Sequence, residues 1–244
     1  MIDGEFSVIF SMASSQGDVT NSSEAEKKVN GIAGNKDKSD LLPSCATVTI
    51  DSIAKEIMID FGSQNCLCND GLYRRGKIKM KLTGVWKEIG SSFSISVIDY
   101  YVQNMKVTGT KTVSILSSGS FSIAVVDASI VTPTGTISWN ANRTITQING
   151  FQPKQTSTDD EFEIIGSSSG INREGVGYSV VISNSNPLLK RISCTQKDFV
   201  SGEVTIKNDK GDTLIVNYDP DNNKSCNKNA IVTINGKTYN IRLR

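Results

Sequence analysis

Residues 92–97, Ser92-Phe93-Ser94-Ile95-Ser96-Val97, decide the fold class. Phe93, Ile95 and Val97 fall on one side of an extended chain and three serines on the other. Such a period of two marks a strand with one face on a core and one in water. The same period spreads outward. Val48 and Ile50 alternate with Thr47, Thr49 and Asp51, and Ile57 and Ile59 alternate with Met58 and Asp60. Ile78, Met80 and Leu82 oppose Lys77, Lys79 and Lys81. Downstream, strands are expected at Val107–Leu116, Phe121–Val126, Gly135–Trp139, Thr144–Ile148, Phe162–Ile165 and Gly177–Ile182, and again at Gly202–Lys207, Thr213–Tyr218, Ala230–Ile234 and Lys237–Leu243. Asn235-Gly236 is a type I′ turn signal for the last hairpin, and Asp209–Asp212 is a related turn. Turns this frequent mark antiparallel pairs, not βαβ units. The expected fold is all-β, an antiparallel meander forming a sandwich or a curved extended sheet.

The chain has 244 residues, a length that one all-β domain can use. A single β domain is expected over 45–244, with 1–44 as a polar tether or short helix. Ser23-x-x-Glu26 is a capping-box pattern for a helix near Glu24–Ile32, and Gly34 and Asn35 would stop it. Phe6–Ala13 is apolar but short for a signal h-region and has no basic residues before it. Apolar runs fall well short of the roughly 20 residues of a membrane-spanning helix.

Composition excludes more than it selects. Lys and Arg number 26 against 25 Asp and Glu, so the chain carries no global basic footprint for nucleic acid. There is no histidine, which removes Ser-His-Asp and Cys-His catalysis and histidine metal sites. Carboxylate chemistry and calcium, which need only oxygen atoms, remain open.

Five cysteines occur, Cys45, Cys66, Cys68, Cys194 and Cys226, with no CxxC pair. Two disulfides and one spare thiol are expected, Cys45 with Cys66 or Cys68 and Cys194 with Cys226, in an oxidising compartment. The competing reading is five reduced thiols in a cytosolic protein.

The runs CATVTIDS (45–52), DFG followed by NCLCNDGLYRRGKI (60–78), YYVQNMKVTGTKTV (100–113), an Arg-Thr-Ile strand (143–145) and SCNKNAIVTINGKTYNIRL (225–243) carry a likeness. Over about four fifths of the chain the sequence resembles uncharacterised surface lipoproteins of Bacteroidetes-type bacteria. The resemblance implies a β-rich fold and an outer-membrane or extracellular setting. No lipobox is visible here, so a lipid anchor would lie upstream of residue 1.

Several groups are candidates for a site. Trp139 beside Asn140 and Arg143, together with Trp86, Tyr100 and Tyr101, offers aromatic faces and donors for a sugar; alternation with Ile137 instead places Trp139 in the core. Arg75, Lys77, Lys79 and Lys81 share one strand face, suited to an anionic partner or to an edge strand guarded by lysines. Asp219, Asp221 and Asn223 alternate as calcium ligands do, and equally as turn residues do. Asp159, Asp160, Glu161 and Glu163 cluster at a strand start, where adjacent carboxylates point apart. Gly166-Ser-Ser-Ser-Gly170 reads as a flexible loop. The expected function is non-enzymatic binding, adhesion or assembly outside the cytoplasm, with a glycan or a surface protein as partner and no required cofactor. The alternatives are a carboxylate-based glycoside hydrolase and a carrier of lipid or another hydrophobic ligand.

Overall fold

A computed structural model describes residues 43–85, 88–151, 159–195 and 199–243. The predicted helix near Glu24–Ile32 and the candidate Trp86 lie outside the described residues. These contain fifteen strands and no α-helix. In chain order they are β1 (Thr47–Asp51), β2 (Glu56–Asp60), β3 (Cys66–Leu67), β4 (Tyr73–Thr83), β5 (Ser92–Val102), β6 (Met105–Ser117), β7 (Ser120–Thr132) and β8 (Gly135–Asn149), followed by β9 (Glu161–Ile171), β10 (Gly177–Ile182), β11 (Leu188–Arg191), β12 (Glu203–Asn208), β13 (Thr213–Asn217), β14 (Asn229–Ile234) and β15 (Lys237–Arg242). One antiparallel ladder runs β1-β2-β4-β5-β6-β7-β8-β9-β10-β12-β13-β14-β15, with β3 on β4 and β11 on β9. The ladder is an open meander. By compactness the chain divides in two, one unit holding residues up to Ile115 with Val125–Ile137, the other Leu116–Ala124 with Ser138 onward.

The first unit has a continuous core. Register sets Ile57 opposite Met80 and Met80 opposite Ile95, and Leu82 opposite Phe93. Residues opposite one another share a sheet face, and all five are buried there. A bulge then changes the alternation. Between Arg75↔Tyr101 and Lys77↔Ile98 the β5 strand carries one extra residue. Gly76 has φ +88 at this point, and a Cβ on it would lie 2.1 Å from the Asp99 carbonyl oxygen, so only glycine fits. The inserted residue hands the inward face from Phe93 and Ile95 to Tyr100 and Val102, all buried.

Arg74, on the same side of β4 as Ile78, Met80 and Leu82, is at 0% exposure. Burying a cation is costly unless it is paired. Arg74 Nη1 and Nη2 donate to the two Asp70 carboxylate oxygens at 2.8 Å each, and Nε donates to Tyr100 Oη at 3.1 Å. The Arg74 guanidinium holds the Asp70 carboxyl below the usual aspartate range. The Asn69-Asp70-Gly71 turn is thereby fastened to the core strand.

The second unit relies more on backbone and turns. Every residue of β13 is half-buried, and every residue of β15 is exposed. Its buried apolar side chains include Trp139, Ile182, Leu188, Leu189, Cys194 and Val200. Turn side chains compensate. Asn235, at φ +48, accepts from Thr213 N at 2.8 Å and donates to Asp212 Oδ1 at 2.8 Å. Asp212 also accepts from Asn208 Nδ2 at 2.9 Å, and these two amides lower its carboxyl pKa.

Two sequence expectations are corrected here. Gly135–Trp139 and Thr144–Ile148, expected as two separate strands, are one fifteen-residue strand, β8. Gly166–Gly170 is ordered in β9. A Cβ on Gly166 would lie 2.1 Å from the Asn142 carbonyl oxygen and one on Gly170 would lie 2.0 Å from that of Ser138. These glycines let β9 press closely on β8, which is why a Gly/Ser run forms a strand.

The disulfides are Cys45–Cys66 (Cα–Cα 5.9 Å) and Cys194–Cys226 (5.4 Å), and Cys68 is the fifth, buried cysteine. Each joins residues more than twenty positions apart, which constrains the unfolded chain by roughly 3 kcal/mol. Two such bonds point to an oxidising, extracytoplasmic setting.

Candidate functional site

Among the described residues, each unit carries a hollow on a strand face. The first has a volume of about 430 Å³ and is lined by Asp60, Gly62, Ser63, Arg75, Gly76, Lys77, Ile98, Asp99 and Tyr101. It sits on the bulge. Its charges are engaged with neighbours. Lys77 Nζ is 2.8 Å from Asp60 Oδ2. Arg75 Nη1 donates to Asn65 Oδ1 (2.9 Å) and Asn104 Oδ1 (2.7 Å), and its guanidinium lies 3.9 Å from the centre of the Tyr101 ring. Asp99 is met at 3.9 Å by Lys106. Lys77 holds the Asp60 carboxyl below its ordinary value, the reverse of what a general acid needs.

The predicted basic face is therefore a cross-strand lattice. Asp60 stands opposite Lys77, and Glu56 opposite Lys81. Glu56 reaches Lys79 at 2.9 Å and Lys81 at 3.2 Å, and these lysines lower its pKa. Because β4 lies between β2 and β5, the edge-guarding explanation for the lysines is also corrected. Exposed pairs of this kind add little individually, because water and salt screen them.

The second hollow, about 350 Å³, is lined by Asn142, Thr144, Ile165, Gly166, Ser167, Val181, Ile182, Ser183 and Asn184. Register assembles it. Asn142 stands opposite Ser167, Ser167 opposite Val181, and Thr144 opposite Ile165. Asn142, Thr144, Ser167 and Val181 thus share one face of β8, β9 and β10. Ile165 and Val181 add apolar surface to the same face, and no ionisable side chain lines the hollow. Asn142, Ser167, Ser183 and Asn184 are exposed. Ser183 shares a hydrogen bond with Ser185 at 3.0 Å, but among the described residues nothing hydrogen-bonds the Asn142 or Asn184 side-chain amide.

The aromatic candidates are not displayed together. Trp139 is buried, and alternation puts it on the face opposite Asn140 and Asn142, so it cannot stack on a ligand held by those amides. Arg143 shares the Trp139 parity, is half-buried, and also faces away from Asn142. Tyr100 is buried against Arg74 and Phe61, with ring centroids 6.0 Å apart to Phe61. Tyr101 is half-buried beneath Arg75.

The acidic candidates are occupied by the fold. Asp219 accepts from the backbone amides of Asn223 (3.1 Å) and Lys224 (3.0 Å), closing its own loop, while Asp221 and Asn223 are exposed. Among the described residues no cluster of three or more Asp, Glu or Cys converges as a metal site. Glu161 accepts from Arg191 Nε at 2.7 Å, and Asp160 from Gln147 Nε2 at 3.1 Å. No described helix is long and apolar enough to cross a membrane.

The Asn142 hollow was missed in the sequence because Gly166 and Ser167, which join its β8 side to its β10 side, lie in the run read as a loop. The run Gly166-Ser-Ser-Ser-Gly170 has no alternation of apolar and polar residues that could have signalled the strand. No protein-family model, curated protein or solved structure matches the chain.

Proposed function

We propose that this is a non-enzymatic extracytoplasmic binding protein, and that the Asn142 hollow takes a neutral glycan. One observation carries the reading: exposed amides and hydroxyls surround an apolar floor, with no charge at the rim. Sugars present alternating hydroxyls and C–H patches, which such a mixed surface matches without a desolvated ion. An anionic or cationic ligand would find no opposite charge there. Residence on the cell surface with a lipid anchor belongs to the same proposal and is supported by the lipoprotein resemblance alone.

Screening an array of neutral and acidic glycans, followed by titration calorimetry on hits, tests it. Neutral oligosaccharides are expected to bind, and Asn142→Ala to weaken them at least tenfold. Binding only of acidic glycans, or neutral binding untouched by Asn142→Ala, would overturn the assignment.

A further inference from the structure

We infer that Cys66 and Cys68 are alternative partners for Cys45, so that the corner holds its crosslink in either of two interchangeable disulfides. Cys66 and Cys68 are both buried while Leu67 between them is 53% exposed, so the two sulfur-bearing side chains turn to the same side. The Cys68 Sγ folds back to within 3.7 Å of the Cys66 carbonyl oxygen. Cys45 Sγ, bonded to Cys66, lies 3.9 Å from the carbonyl oxygen of Leu67, the residue midway between the two candidates. Backbone bonds fix the local path: Cys68 N donates to Leu72 O and Gly71 N donates to Cys68 O, both at 2.9 Å.

The step needs no external oxidant. The Cys68 thiol loses its proton, its thiolate attacks Cys45 Sγ, the Cys45–Cys68 bond forms and the Cys45–Cys66 bond breaks. Cys66 leaves as thiolate and takes up a proton. One thiol and one disulfide exist before and after. Cys45 precedes β1 directly, so either isomer keeps the chain before β1 tied to the β3–β4 corner. Sulfur and disulfide content are conserved, and only the identity of the reduced cysteine changes.

Disulfide mapping by mass spectrometry tests this in two ways. Wild-type protein is held at mildly alkaline pH without oxidant, alkylated, digested and fragmented. Alkylation is expected at both Cys68 and Cys66, with one thiol per molecule throughout. In Cys68→Ser, Cys66 is expected to stay unlabelled. Cys66→Ser is expected to join Cys45 to Cys68. Native wild-type protein that labels only at Cys68 after prolonged incubation would overturn the inference, as would Cys66→Ser with both remaining thiols alkylated. The wild-type arm stands even if Cys66→Ser does not fold.

Discussion

The hollow at Arg75 and the hollow at Asn142 are similar in size but opposite in how their polar groups are used. At Arg75 every charge is met by a neighbour: Lys77 by Asp60, Asp99 by Lys106, Arg75 by Asn65, Asn104 and Tyr101. A ligand entering there must break protein contacts before making its own. At Asn142 the rim is uncharged, and the Asn142 and Asn184 amides keep their hydrogen-bonding capacity. Polar residues in a concavity are thus not equivalent. Those that satisfy one another hold the fold, and those left to water are available for recognition.

Substitutions separate the two roles. The largest effect is expected from Gly166→Ala, whose Cβ would meet the Asn142 carbonyl at 2.1 Å from a backbone at φ +143. Separating β8 from β9 there should cost about 3 kcal/mol or more in denaturant unfolding and abolish glycan binding. Next, Arg75→Ala removes two charge-assisted hydrogen bonds and a stacked cation. It should lower stability by about 1–2 kcal/mol while leaving glycan affinity unchanged.

Acid should distinguish the two hollows as well. Asp70 and Asp60 have folded pKa values lowered by Arg74 and Lys77, so the stability they supply is complete above the ordinary aspartate value. It is lost as pH falls through their lower folded values, below about pH 4. Glycan affinity, measured by calorimetry, should stay flat from neutrality down to that point, since nothing lining the Asn142 hollow titrates. Asp70→Asn should weaken the acid dependence of unfolding. The smallest stability change is expected for Asn142→Ala, within about 0.5 kcal/mol of wild type, because the side chain is exposed.

Local pattern revealed what depends on local pattern. The Phe93–Ile95 alternation, the Asn235-Gly236 turn and the pairing of Cys194 with Cys226 need only period, turn chemistry and proximity. The lysine stripe was visible too, but its neutralisation was not, because it depends on the register of β2 against β4. Tyr100 and Tyr101 were indistinguishable until the bulge at Gly76 and Asp99 sent one inward and the other beneath Arg75. The burial of Arg74 carries no local signal, because it depends on Asp70 and Tyr100 arriving together. The Asn142 hollow required knowing that a Gly/Ser run could pair with β8, which follows from close backbone approach and not from strand propensity.

Amide chemical-shift mapping during titration with a neutral oligosaccharide tests the central claim most directly. The account predicts saturable shifts concentrated at Asn142, Ser167, Val181 and Asn184, with residues around Arg75 unmoved. Shifts centred on Arg75 and Tyr101, with the Asn142 face silent, would contradict it.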